Sequence, residues 1–181
     1  MDTDHFDITA LTPGDVRPGQ EEQMAMVRQL LADRFHLTFH RQPKEMPVYT
    51  VTIAKGGLKL KLGTPYPDDE APPPLVFVLA PTIVRVPARN TTVRELTYIL
   101  QRTAFDRPVL DKTGLTDRYD FELEFAPDES LFIGVFRSKE GDPTKPGIFA
   151  AMQEQLGLKL EATRDLVDTL VIDNVDHPSE N

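Results

Sequence analysis

Cysteine is absent from the 181-residue chain. Disulfides, thiolate metal sites and thiol nucleophiles go with it, as does the usual clue to redox compartment. No apolar run approaches the roughly 20 residues that cross a bilayer as a helix, and the opening MDTDHFDITA is acidic where a signal peptide is basic and then apolar. Positive charge is scarce: 20 Lys and Arg stand against 29 Asp and Glu, for a net charge of -9 and a pI near 4.9. Such a surface repels phosphate backbones and anionic lipid, which argues against nucleic acid as a partner. Serine occurs only as Ser130, Ser138 and Ser179, none within a Gly-x-Ser-x-Gly elbow. The phosphate-cradling Gly-x-x-x-x-Gly-Lys loop, the dinucleotide Gly-x-Gly-x-x-Gly and the zinc-peptidase His-Glu-x-x-His are missing too. Nothing therefore points to a cofactor, and only an enzyme assembled from scattered residues escapes these exclusions.

What is present is ordinary globular composition, 40% hydrophobic and 27% charged, enough to bury a core. The expected organisation is one compact α+β domain over 1–181, or two lobes, 1–62 and 75–181, joined by a Pro-rich acidic loop at 63–74. Alternation at Phe6, Ile8 and Ala10 predicts a first short strand, and Met24, Val27, Leu30 and Leu31 predict a helix over 21–34. Phe35, Leu37 and Phe39 then alternate with polar residues. Gln42-Pro-Lys-Glu45 reads as a turn, and Met46 to Ile53 as the returning strand.

Leu58, Leu60 and Leu62 alternate with lysines like a protected edge strand. Two further strands are expected over 75–79 and 83–86. Thr92-x-x-Glu95 is a capping box for a second helix, and Arg107 to Phe125, RPVLDKTGLTDRYDFELEF, reads as a hairpin. The apolar Leu131 to Phe136 suggests another short strand. Pro146 fits the first turn of a third helix that stops at Gly157, followed by strands at Leu158 to Leu160 and Leu166 to Val175. The pattern predicts antiparallel sheet built from about three helix-plus-hairpin units, with the helices packed on one face.

Candidate chemistry is thin. His36 and His40 on a strand stand about 13 Å apart at about 3.3 Å per residue, too far to share an ion. Asp120, Glu122 and Glu124 project from one strand face, which is ordinarily a solvated face. Asp111 and Asp117 flank a Lys-Thr-Gly turn where aspartate usually bonds local backbone. Asp111, Asp117 and Asp120 are the candidates for acid catalysis if the chain is an enzyme, and no metal set is expected.

Several phrases together carry a family likeness: Leu30-Leu-Ala-Asp-Arg-Phe35, Glu45-Met-Pro-Val-Tyr49, Ala54-Lys-Gly-Gly57, Arg107-Pro-Val-Leu-Asp-Lys-Thr-Gly-Leu115, Arg118-Tyr-Asp-Phe121, Glu154-Gln-Leu-Gly-Leu-Lys-Leu-Glu161 and Val171-Ile-Asp-Asn-Val175. In this combination the chain resembles the soil-associated protein family, an uncharacterised bacterial domain of unknown function expanded in acidobacteria. The resemblance implies an exported protein whose leader and front portion precede this chain, and a secreted or periplasmic location. Some relatives carry the domain beside a membrane metallopeptidase of a sensor system. No catalytic residue is implied. More distantly, the helix-and-strand units resemble small periplasmic modules of secretins and TonB-dependent receptors, which bind other proteins. The function expected is a non-enzymatic binding module for a protein, peptide or glycan. The alternatives are a carboxylate-based hydrolase and the sensor domain of a peptidase signalling system.

Overall fold

In a computed structural model, which describes residues 8–9, 11, 18–65, 75–132 and 141–178, the apolar periodicities resolve into an α+β fold with two sheets. In chain order the elements are α1 (Gln20–Phe35), β1 (Thr38–Ile53), β2 (Lys61–Leu62), β3 (Val78–Leu79), β4 (Val84–Thr91), α2 (Val93–Ile99), β5 (Val109–Asp111), β6 (Tyr119–Phe125), α3 (Ile148–Ala151) and β7 (Leu158–Asn174). Both α2 and α3 run on into a wider π-helical turn, Leu100–Ala104 and Met152–Leu156 respectively. One sheet has the order β5-β1-β7 and the other β2-β6-β4-β3. Most of the expected strand at Phe6 to Ala10, most of the 63–74 loop and most of the Leu131 to Phe136 strand lie outside the described residues.

Contacts divide the chain into two compact units: 1–43 with 168–181, and 44–167. The larger unit owns the hydrophobic core. Val84, Val86 and Ala88 alternate with exposed Arg85, Pro87 and Arg89 along β4, and its partner β6 buries Tyr119, Leu123 and Phe125. Over this inner face lie Leu96 and Leu100 from α2 and its extension, Ile148, Met152 and Leu156 from α3 and its extension, and Leu158 from the start of β7. At about 25 cal/mol per Å² of apolar surface, each such side chain contributes on the order of 2 kcal/mol. The register of β4 with β6 runs from Val84 opposite Phe125 to Ala88 opposite Phe121, then shifts at a bulge before Thr91.

The smaller unit holds α1, the first residues of β1 and the end of β7. Among its described residues none is buried, and Met24, Val27, Phe39, Leu170 and Ile172 are exposed apolar groups. Its ion pairs join its two stretches of chain. His36 pairs with Asp176 at 3.3 Å, His40 with Asp173 at 2.8 Å and Arg41 with Asp168 at 2.8 Å.

The three helices and the largely antiparallel sheets agree with the sequence pattern, but the strands after each helix are not hairpins. β1 runs unbroken for 16 residues through the expected turn at Gln42 to Glu45. Pro43 is tolerated there because it precedes the three residues of β1 that pair with β5, leaving that side of the strand open. β7 likewise runs 17 residues through Ala162-Thr-Arg-Asp165. Partners count down β7 as they count up β1 (Asp173 with His40, Asp168 with Arg41, Arg164 with Glu45), as antiparallel strands do. Of the residues that looked like turns, Glu45 and Arg164 are instead partners in a cross-strand ion pair. In the middle unit β5 pairs parallel with β1, Tyr49 opposite Val109, whereas β6 lies in the other sheet. Alternation marked each segment as strand without saying which partner it takes.

Candidate functional site

The local sequence of α2 builds one wall of a cleft. Thr92 caps the helix: its Oγ1 accepts from the Glu95 N–H at 3.1 Å, and the Glu95 carboxylate accepts from the Thr92 N–H at 2.8 Å. Val93, Leu96 and Leu100 face the core. That phase turns Arg94, Tyr98 and Arg102, spaced i, i+4, i+8, to the outer face. Tyr98 is 57% exposed. Arg102 donates to its hydroxyl at 3.1 Å, with the guanidinium 5.6 Å from the ring centroid. Arg94 makes no side-chain hydrogen bond or ion pair with any described residue.

The π-helical turn positions Gln101. Here the Phe105 N–H bonds back to the Leu100 carbonyl at 3.0 Å, and the wider turn carries Gln101 to β5, where its Oε1 accepts the Val109 N–H at 3.1 Å. β5 forms the other wall and is an edge strand. On its inner side the Pro108 carbonyl accepts from Tyr49, and the Lys112 N–H donates to the Val51 carbonyl at 2.9 Å. Because backbone groups alternate sides along a strand, the Val109 carbonyl and the Asp111 N–H and carbonyl point to the open side. Between them and α2 lies a cleft of about 420 Å³ lined by Arg94, Thr97, Tyr98, Gln101, Val109 and Asp111.

The three candidate aspartates occupy different settings. Asp111 lines this cleft, its Oδ1 accepting the Thr113 N–H at 2.9 Å and hydroxyl at 2.6 Å. Asp117 is exposed in the 112–118 connection. Asp120 lies in the other sheet, accepting the Asn90 N–H at 2.7 Å and the Thr64 N–H at 3.2 Å. The bond from Asn90, with a smaller contribution from Thr64, holds its carboxyl below the usual carboxylate range. Glu124 is held low by Lys145 and then by Arg85. Among the described residues no three His, Asp or Glu side chains converge as a metal ion requires.

Arg94, Tyr98 and Gln101 are the site residues that sequence reasoning passed over. Their helical spacing was visible, but an outward Arg/Tyr stripe looks like any solvated helix face until a strand edge lies opposite. No signal announced the π-turn.

No helix among the described residues is long and apolar enough to cross a membrane. Comparison with curated proteins and with solved structures returns no match to either. A family model does match, over residues 1–175, and the chain belongs to that family, DUF3738, described as a protein of unknown function.

Proposed function

We propose that the chain is a non-enzymatic binding module that captures an extended segment of another protein, acting outside the cytoplasm as the soil-associated resemblance implies. The observation that carries this reading is the open edge of β5 facing the α2 cleft. Unpaired strand groups beside a helix form the arrangement in which a peptide adds to a sheet and drops alternate side chains into a groove. The acid-catalysis alternative draws no support from Asp120, whose carboxylate is engaged by two backbone N–H groups and held ionised, the reverse of a general acid.

Panning a random heptapeptide display library on the purified chain tests the proposal. Enriched sequences should protect the Asp111 amide from hydrogen exchange and lose binding to Tyr98→Ala. Absence of enrichment, together with turnover in a screen of ester, glycoside and peptide substrates, would overturn it.

A further inference from the structure

The binding reading leaves open what kind of segment the cleft selects. We infer, resting on that reading, that the α2–β5 cleft takes an extended peptide carrying an acidic side chain, which Arg94 recognises. Although the whole chain carries -9, residues 93–112 hold four basic groups, Arg94, Arg102, Arg107 and Lys112, against three acidic ones, Glu95, Asp106 and Asp111. Most of these are already matched. Glu95 pairs with Arg118 at 3.3 Å, Asp106 with Arg107 at 2.7 Å, and Lys112 with Asp165 at 3.0 Å. Asp111 spends its Oδ1 on the neutral Thr113 N–H and hydroxyl and keeps its negative charge, the one unmatched anion among these groups. Among the cations, what remains at the cleft is the Arg94 guanidinium, without a partner among the described residues, while Arg102, outside the lining, is held by the Tyr98 hydroxyl one turn along the same helix face. A bare cation beside open backbone groups is complementary to a strand that brings a carboxylate.

The backbone sets the length of the contact. The Asp111 N–H and carbonyl are both open, so one peptide residue can exchange two hydrogen bonds with Asp111. At Val109 only the carbonyl is open, because Gln101 already accepts the N–H. The peptide therefore gains three backbone bonds and stops at Gln101. Selectivity then rests on side chains over the Arg94, Tyr98, Arg102 stripe.

The test uses acetylated, amidated heptapeptides of alternating Val and Thr with Glu, Gln or Lys at the centre, titrated against the chain by fluorescence anisotropy. The Glu peptide is expected to bind about fivefold tighter than the Gln peptide, the upper range for a solvent-accessible ion pair, and added salt should erase that difference. Arg94→Glu should reverse the preference toward Lys. If that variant is poorly folded by circular dichroism, Arg94→Gln and the wild-type salt series carry the same test. Equal binding of the three peptides would overturn the acidic assignment while leaving the binding module standing. Tighter binding of a free-C-terminus peptide lacking acidic side chains would overturn it in favour of a chain end. Failure of all the peptides together with failure of the display selection would overturn both readings.

Discussion

Asp120 shows how a residue that looks catalytic is spent on structure. Its two oxygens hold the N–H groups of Thr64 and of Asn90, the latter in a left-handed conformation (φ 48°) at the bulge where β4 leaves its register with β6. Asp120→Ala should cost about 1–2 kcal/mol in urea unfolding, because the part-buried Asn90 N–H and the exposed Thr64 N–H both lose their acceptor, and Asp120→Asn, which keeps one oxygen, should cost less. Acid stability follows from the same residue and from Glu124. Both carboxyls are held below their ordinary range in the folded chain, so the stability they contribute is complete above the unfolded values and drains away as pH falls through the folded ones. The thermal midpoint should therefore drop as pH goes below about 4, and Glu124→Gln should flatten that drop. The types and spacing of these acids were legible in the sequence. Their partners Asn90, Lys145 and Arg85 were not, because each comes from a distant segment.

Among the elements, the two π-helical turns share a device. As Gln101 takes the Val109 N–H, Gln155 makes a reciprocal pair with β6, accepting the Glu124 N–H at 2.9 Å and donating to the Glu124 carbonyl at 2.7 Å. Each glutamine stands in for a neighbouring strand. Gln155→Ala should destabilise by about 2 kcal/mol, since it strands a part-buried donor and acceptor together; Gln155→Glu, which keeps only the acceptor, should fall between. Gly157, which ends the second of these turns at φ 68°, is tighter still: a Cβ there would run into the Gly57 carbonyl oxygen and crowd the Lys59 N–H. Gly157→Ala should cost roughly 2–4 kcal/mol by chemical denaturation, from left-handed strain and overpacking combined. The capping box at Thr92 and the stop at Gly157 were readable because they are local chemistry. The first and third hairpins misled because polar residues in strands exposed on both faces carry the same composition as turns; the middle one misled because β5 and β6, on either side of a real connection, join different sheets, and pairing depends on contacts across more than 100 residues of chain, such as Arg164 with Glu45.

For the whole molecule, burial is uneven. Among the described residues, all the buried hydrophobic ones lie in the larger unit, Val48 to Leu160, and none of the smaller unit is buried. Hydrogen exchange should show β4 and β6 as the slowest amides, opening only with global unfolding, and α1 exchanging orders of magnitude faster. Equal protection of α1 and β6 would show that apolar burial does not set local stability here. The α+β class and the acidic surface were plain from composition and periodicity. The division of burial was not, since Met24, Val27 and Leu31 give α1 the same apolar stripe as any core helix.

The side chain of Gln101 also fixes how far assembly can propagate. A strand edge open along its whole length invites a second copy, then a third, as in fibrils. With the Val109 N–H already occupied, β5 offers one full exchange of bonds and half of another. That suits a reversible encounter and starves an endless one. Gln101→Leu, which lengthens the open edge, should raise the chain's tendency to form thioflavin-positive aggregates on mild heating, and the wild-type glutamine is in this sense a stop codon written in hydrogen bonds.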